Sequence, residues 1–398
     1  MVKHISIIGI GMNGTETLIE KALRTIKNAQ VLIGAQRMLD CFSEFEKPVF
    51  CSYKSNDIAE FIKECEYEKI AVLMSGDCGF YSGAERLLPL IGDFETEVIC
   101  GISTPVYFAS KLKITWQNMK FVTLHGVGGN IVRHVCSNPV TFFLLGGEIA
   151  PKDICKRLCE YGLGDLIVHI GENFGGSNER ITTGTAKELT EIETDKLCAV
   201  IVCNENYEKS LRSCIPDSEF IRGSVPMTKS EVRSVCVAKL EINSDSICWD
   251  IGCGTGSVAI EMAFRCPNGR VYAVEKNEEA VGLTSENRIK FGCDNIEIIS
   301  GNAESVVETL PEPDCVFVGG SSGSLKKIIM TVMAKNPLAK IVVTAVSLET
   351  LNQCIEIFDH IGAETEITQL AVTRTRKVGR HTMLAAENPI FIIRRKLK

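Results

Sequence analysis

Between an apolar run and an amphipathic one lies Trp249-Asp250-Ile251-Gly252-Cys253-Gly254-Thr255-Gly256-Ser257, and Glu275 closes the next apolar run. Glycines at alternate positions let a backbone turn tightly beneath a ligand, and a carboxylate one strand further on can accept hydrogen bonds from ribose hydroxyls. A dinucleotide site asks for G-x-G-x-x-G, whereas the third glycine here arrives one residue early. A Walker loop is excluded, because no Gly-Lys-Ser or Gly-Lys-Thr follows. The spacing points instead to S-adenosylmethionine, with Asp250, Gly252, Gly254, Gly256 and Glu275 as binding residues. A tight turn in some other α/β protein is the rival for the glycines alone; the strand before, the helix after and the acidic residue weigh against it.

Other candidates sit at similar places. Gly301-Asn302-Ala303 follows the next strand and is placed to meet an adenine edge, although Asn302 would serve equally as a helix cap. Gly319-Gly320-Ser321-Ser322-Gly323 is small and flexible where a transferred group would meet its acceptor, or is a turn without chemistry. In the first half, Gly9 and Gly11 end the first strand, and Gly76-Asp77-Cys78-Gly79 forms a strand-end turn that can approach a ligand closely; Asp77 could instead cap a helix. His125 could orient a carboxylate, act as an acid–base group, or be structural. The run Arg374 to His381 is dense in cations, so Arg374 and Arg380 are the preferred anchors for an anionic ligand, with Arg222 and Lys229 as seconds. A charged edge hairpin that discourages aggregation explains the same run.

The elements that must position these residues follow from periodicity. A chain of 398 residues, 45% hydrophobic and 23% charged, is long enough for two domains. His4 to Gly11 reads as a strand running into a glycine turn, and further apolar strands are expected at Ile70–Met74, Val98–Cys100, Phe121–Leu124, Thr141–Leu145, Leu166–Ile170 and Leu197–Val202, alternating with helical patterns. The polar stretch from Asn204 to Phe220 lacks periodicity and reads as a linker, giving domains over 1–204 and 221–398 with 205–220 between them. The second domain repeats strand and helix from Ile247 to Thr344, the rhythm of a mainly parallel sheet, and then breaks it with strands at Glu364–Arg374 and Thr382–Ile393, an expected antiparallel edge. The net charge of −7 argues against a nucleic-acid or membrane-surface partner, and the expectation is a cytoplasmic protein. The 18 cysteines are scattered without a C-x-x-C pair, so reduced thiols and no metal site are expected.

Longer segments carry a resemblance. The run Gly223-Ser224-Val225-Pro226-Met227-Thr228-Lys229, the glycine motif, Ala273-Val274-Glu275, Phe317–Ser321 and Val342–Val346 resemble the C-15 methyltransferase and decarboxylase family of cobalamin biosynthesis over nearly all of the second domain. That resemblance implies a Rossmann-like class I methyltransferase, with Thr228, Lys229, Gly319 and Gly320 toward the substrate. Ile8–Gly11, Ser75–Ser82, Gly101–Thr104, Leu124-His125-Gly126 and Gly171-Glu172-Asn173 resemble the tetrapyrrole methylases, specifically the precorrin C-5 methyltransferases. This implies a two-lobed α/β fold holding folded S-adenosylmethionine between its lobes, near Gly9, Gly11, Gly76, Asp77, Gly79, Ser103 and Thr104. Cys78 and Cys100 depart from the pattern, standing where that family has prolines. Together the resemblances imply one bifunctional enzyme with two cofactor sites per chain. It would methylate an anionic tetrapyrrole, precorrin-6B or its cobalt form, at C-5 and C-15 and decarboxylate the C-12 acetate, as a homo-oligomer. A methyltransferase of another small molecule, with the first half a recognition or sensing module, is the rival reading.

Overall fold

The computed structural model describes residues 3–12, 15–124, 130–147, 149–209, 212–320 and 323–396. His125, Ser321 and Ser322 lie outside the described residues. The chain forms two compact units; the second comprises Val127–Pro139, Ile154–Leu166 and Asn204–Lys398, and the first comprises the remainder.

The first unit holds two five-stranded sheets. One is wholly parallel, in the order Val49–Cys51, Val31–Gly34, Lys69–Met74, His4–Gly9, Glu95–Ile99. Its central strands read as unbroken apolar runs because both faces are covered: Ile70 and Val72 enter one buried cluster, and Ala71 and Leu73 the other. The second sheet is mixed, in the order Met119–Thr123, Val140–Leu144, Cys198–Cys203, Ile167–Glu172, Arg180–Thr185, with only the first pair parallel. These two lobes give the expected two-lobed α/β form. Val31–Gly34, Val49–Cys51 and Arg180–Thr185 are strands that periodicity did not reveal, the first two being too short to show alternation and the third rich in threonine and half exposed.

The second unit is built on a seven-stranded sheet in the order Ile296–Ser300, Arg270–Glu275, Ile247–Ile251, Cys315–Val318, Lys340–Ala345, Ile390–Arg395, Thr365–Leu370. The first five strands are parallel and the last two antiparallel, which is the Rossmann-like sheet with its antiparallel edge. Cys315 and Phe317 pack on one face, Val316 and Val318 on the other, so this sheet too is buried on both sides. The strand order reverses between Ile247–Ile251 and Cys315–Val318, and ligand crevices open at such points beyond the carboxyl ends of strands.

The tail differs from expectation. The two long strands expected there are four: Thr365–Leu370 and Ile390–Arg395 join the sheet, while Thr373–Val378 and His381–Ala386 pair as a separate hairpin. Glu387–Pro389 lies outside any strand: the Glu387 amide still donates to the Val372 carbonyl at 2.9 Å, but Pro389 has no N–H to donate, and the next strand begins after it. The stretch read as a linker is likewise packed: Ile215 and Phe220 are buried in the second unit's core. Within the same unit, the Asp294 carboxylate accepts hydrogen bonds from the amides of Ile131, Val132 and Arg133 at 2.6, 2.8 and 3.0 Å, capping the helix Val132–Ser137. Replacing Asp294 by Ala orphans three donors, and the second unit is expected to lose about 1–3 kcal/mol. Urea unfolding of the variant beside the parent checks this, an unchanged midpoint meaning that the cap contributes nothing.

Candidate active site

At the strand-order reversal of the second unit lies a cavity of about 1060 Å³. Each part of its wall has a local cause. Gly252 adopts φ +74°, a left-handed conformation that L side chains rarely take, and a β-carbon there would lie 2.5 Å from the Gly320 carbonyl oxygen. The turn after Ile247–Ile251 and the turn after Cys315–Val318 therefore touch backbone to backbone. Glu275 holds the glycine turn from the other side: its carboxylate accepts from the Gly254 amide at 3.0 Å, and from the Lys276 and Asn277 amides at 2.9 and 3.0 Å. Asn277 caps the helix Glu278–Lys290 by accepting from the Ala280 amide at 3.1 Å.

Ten residues singled out from sequence line this one cavity: Thr228, Lys229, Gly252, Gly254, Glu275, Gly301, Asn302, Ala303, Gly319 and Gly320. Asn302 does both things expected of it, lining the cavity and capping the short helix Ala303–Val306 through the Glu304 amide at 3.3 Å. Gly256 stands behind the wall, where a β-carbon would meet Thr284. Arg222 and Arg380 are exposed and lie outside the lining. Arg374 is engaged by carboxylates, ion-paired to Glu231 and lying 3.5 and 3.4 Å from Asp217 and Glu387. It holds the Glu231 carboxyl down to about 2. Sequence reasoning missed Lys276 and the wall formed by Glu387, Asn388, Pro389, Ile390 and Phe391. Lys276 was signalled by its place directly after Glu275; the second wall becomes visible only once the tail is known to leave and rejoin the sheet.

Asp250 lies directly before the turn, wholly buried, and among the described residues neither of its oxygens nor the Thr255 hydroxyl has a hydrogen-bond partner of normal geometry. Burial first, and the Glu275 carboxylate after it, push the Asp250 pKa up to about 7, while the nearby Ala259 amide pulls the other way. Asp250 lies outside the cavity lining, so the fit to S-adenosylmethionine rests on the glycine cradle and on the polar groups that do line the cavity. The donor set fits as well, since Glu275 can accept from ribose hydroxyls and Asn302 can face a base.

In the first unit the expected residues also gather. Gly11 and Gly76 exchange amide-to-carbonyl hydrogen bonds, both at 3.0 Å. A β-carbon on Gly101 would lie 2.3 Å from the Gly76 oxygen and 2.6 Å from the Gly9 oxygen, so three strand ends meet where side chains do not fit. Asp77 locks this junction, accepting from the Gly79 amide at 2.8 Å and the Gly101 amide at 2.9 Å. Both its oxygens thus serve the turns, and neither caps a helix. Ser103 is the extended residue before the helix Thr104–Leu112. Cys78, at a family proline position, donates its thiol to the Ile99 carbonyl at 3.5 Å, and burial, followed by Asp77, raises its pKa to about 12; Cys100 is exposed. None of the 18 cysteines forms a disulfide, and among the described residues no cluster of three or more His, Cys, Asp or Glu is placed to hold a metal ion. No helix among them is long and apolar enough to cross a membrane.

Comparison with known proteins finds two families along the chain. A family model described as precorrin methyltransferase domain matches residues 220–395, and one described as tetrapyrrole (corrin/porphyrin) methylases matches residues 4–190. A Pyrobaculum calidifontis protein named "Probable cobalt-precorrin-6B C(15)-methyltransferase (decarboxylating)" is 42% identical over 182 residues, 45% of this chain and 93% of the relative. The "Precorrin-6Y C(5,15)-methyltransferase [decarboxylating]" of Sinorhizobium sp is 25% identical over 382 residues, spanning 94% of this chain and 92% of its own length. The solved precorrin-6y C5,15-methyltransferase of Geobacter metallireducens is 36% identical, covering 47% of this chain and 97% of that one with a TM-score of 0.45.

Two outcomes are expected. Gly252→Ala forces the glycine turn off Gly320, so calorimetry should find cofactor binding at the second unit reduced at least about tenfold, together with a lower Tm. The folded Asp250 carboxyl holds its proton far more tightly than an unfolded one, so its contribution to stability is complete below about pH 4 and is lost as pH rises toward about 7. Asp250→Asn should remove that slope, making stability between pH 4 and pH 8 flatter than in the parent by on the order of a few kcal/mol; parallel melting curves across that range would refute the assignment.

Proposed function

Since this chain belongs to the family of decarboxylating precorrin C5,15-methyltransferases, with a tetrapyrrole-methylase half joined to a precorrin methyltransferase half, we propose that it is a bifunctional enzyme of cobalamin biosynthesis. It methylates a precorrin, precorrin-6B or its cobalt form, at C-5 and C-15 and removes carbon dioxide from the C-12 acetate. The first domain, residues 1–204, acts at C-5, and the second, residues 221–398, acts at C-15 and on the acetate. Each domain takes its own S-adenosylmethionine, and the enzyme works in the cytoplasm as a homo-oligomer.

The observation that carries this reading is the second unit's cavity. Ligand pockets run from roughly 300 to 1,000 Å³, and this one, at about 1060 Å³, stands at the upper end of that range. When bound, the cofactor supplies an electrophilic methyl group, and what the chain must add is placement. Glu275, Asn302 and the Gly252–Gly256 turn hold the nucleoside. Gly319 and Gly320 leave the approach to the methyl group open, because they put no side chain between donor and acceptor. Among the described lining residues the cations are Lys229 and Lys276, which can meet the carboxylates of the macrocycle edge. Thr228 offers a hydroxyl beside them.

Alignment of this kind can contribute several kcal/mol to the barrier without any metal. For the decarboxylation, Val225, Pro226, Met227, Ile390 and Phe391 present an apolar surface that strips water from the acetate. The carbon–carbon bond breaks, its electron pair passes into the ring system, and a proton returns to the carbon that loses carbon dioxide.

Purified protein, the precorrin and isotopically labelled cofactor should yield a product that has gained two labelled methyl groups and lost one carboxyl, read by mass spectrometry. A product without label refutes the reading. Calorimetry should count two cofactor molecules per chain, falling to one when Gly254, whose φ of +58° and 3.0 Å approach to the Pro226 carbonyl admit no larger residue, is changed to Val; a count of one in the parent assigns the chemistry to a single half.

A further inference from the structure

Two arginines and four carboxylates run as a ladder beside the second unit's cavity. Arg233, with no exposed surface, pairs with Glu261 at 2.7 Å and reaches Asp217 at 3.4 Å, and its guanidinium lies 4.8 Å from the centre of the Phe220 ring. It also donates to the Thr228 carbonyl at 2.7 Å, fixing the end of the Val225–Lys229 wall. Asp217 uses its other oxygen on Arg374, at 3.5 Å. From the hairpin strand Thr373–Val378, Arg374 pairs with Glu231 in the first turn of the helix Ser230–Leu240, lies 3.4 Å from the Ser230 hydroxyl, and reaches Glu387 in the opposite wall at 3.4 Å. Lys229, the residue before that helix, lines the cavity, as does Glu387.

Carboxylates outnumber guanidiniums in the ladder, so a further anion gains nothing by entering it; the sequence-based role of Arg374 as a direct anchor does not follow from its surroundings. We propose that Arg374 is a positioning residue for the tetrapyrrole: it ties the Val225–Lys229 wall to the Glu387–Phe391 wall at a fixed separation and does not itself touch the bound macrocycle. This rests on the reading of the cavity as the tetrapyrrole site. Arginine suits the task because its planar fork engages three carboxylates in different directions, which a lysine point charge does not. Loss of the tie leaves Glu231, Asp217 and Glu387 repelling one another, and the walls separate. Small misplacement of an acceptor is costly in both binding and rate.

The test uses the full chain and five proteins: parent, Arg374→Ala, Arg374→Lys, Glu387→Gln and the double variant Arg374→Ala/Glu387→Gln, which closes a cycle. Affinity for the tetrapyrrole is read by absorbance titration without methyl donor, and KM and kcat are read from the C-15 methyl in the product. Arg374→Ala should raise KM and weaken tetrapyrrole affinity by about tenfold or more, change kcat less, and leave cofactor affinity within about twofold. Arg374→Lys should recover part of the loss. Glu387→Gln should show the same kind of defect, and the double variant should be no worse than Arg374→Ala alone, because both changes cut one tie. Additive defects, or a lowered Tm with unchanged KM and affinity, overturn the proposal. A parent enzyme that places no methyl at C-15 overturns the functional reading itself, an outcome separate from any difference between parent and variants.

Discussion

At the carboxyl edge of a sheet in each unit the chain is brought backbone against backbone where a single β-carbon has no room. In the second unit Gly252 meets Gly320, and in the first Gly9, Gly76 and Gly101 meet at three strand ends. These contacts set how far apart neighbouring loops stand at the carboxyl edge of each parallel sheet, and therefore where everything else at that edge is held. Glu275 and Asp77 do related work on the two scaffolds. Each is a carboxylate whose oxygens accept amides from neighbouring turns, Glu275 from Gly254, Lys276 and Asn277, and Asp77 from Gly79 and Gly101. A carboxylate satisfied by several amides is held in one orientation, and so are the loops that supply them.

Electrostatics divide the second unit's site into three regions of different character. Behind the glycine turn and outside the cavity lining is Asp250, a wholly buried carboxyl that has no hydrogen-bond partner of normal geometry among the described residues. At the cavity surface are Lys229 and Lys276, suited to negative ones. Beside the walls is the Arg233–Arg374 ladder, in which charges are already matched by neighbours in the protein. The cations that line the cavity are therefore distinct from those already engaged by carboxylates beside it.

What could be read from sequence was what local geometry dictates. Gly252, Gly254 and Glu275 announced themselves because a left-handed turn at a strand end demands glycine, and the next strand end recurs at a regular distance. The parallel strands were visible as apolar runs because burial on both faces removes alternation. What stayed hidden depends on residues far apart in the chain. Nothing near Arg374 discloses that Asp217, Glu231 and Glu387 will surround it, so its charge looked available. The basic tail read as two strands because the break at Glu387–Pro389 is short and its flanks are β-formers. Ile215 and Phe220 looked like part of a tether because isolated apolar residues carry no period, yet they are buried in the core.

That break has an effect on how the enzyme's acceptor side can vary. The segment Glu387–Pro389 is spliced between a hairpin that forms its own two-stranded sheet and a strand whose register is fixed by Lys340–Ala345 and Thr365–Leu370. Asn388, which takes part in none of these pairings, can be exchanged without sliding either neighbour along the sheet. The cavity thus has one wall on strand ends fixed by pairing and part of another on a short splice outside the sheet.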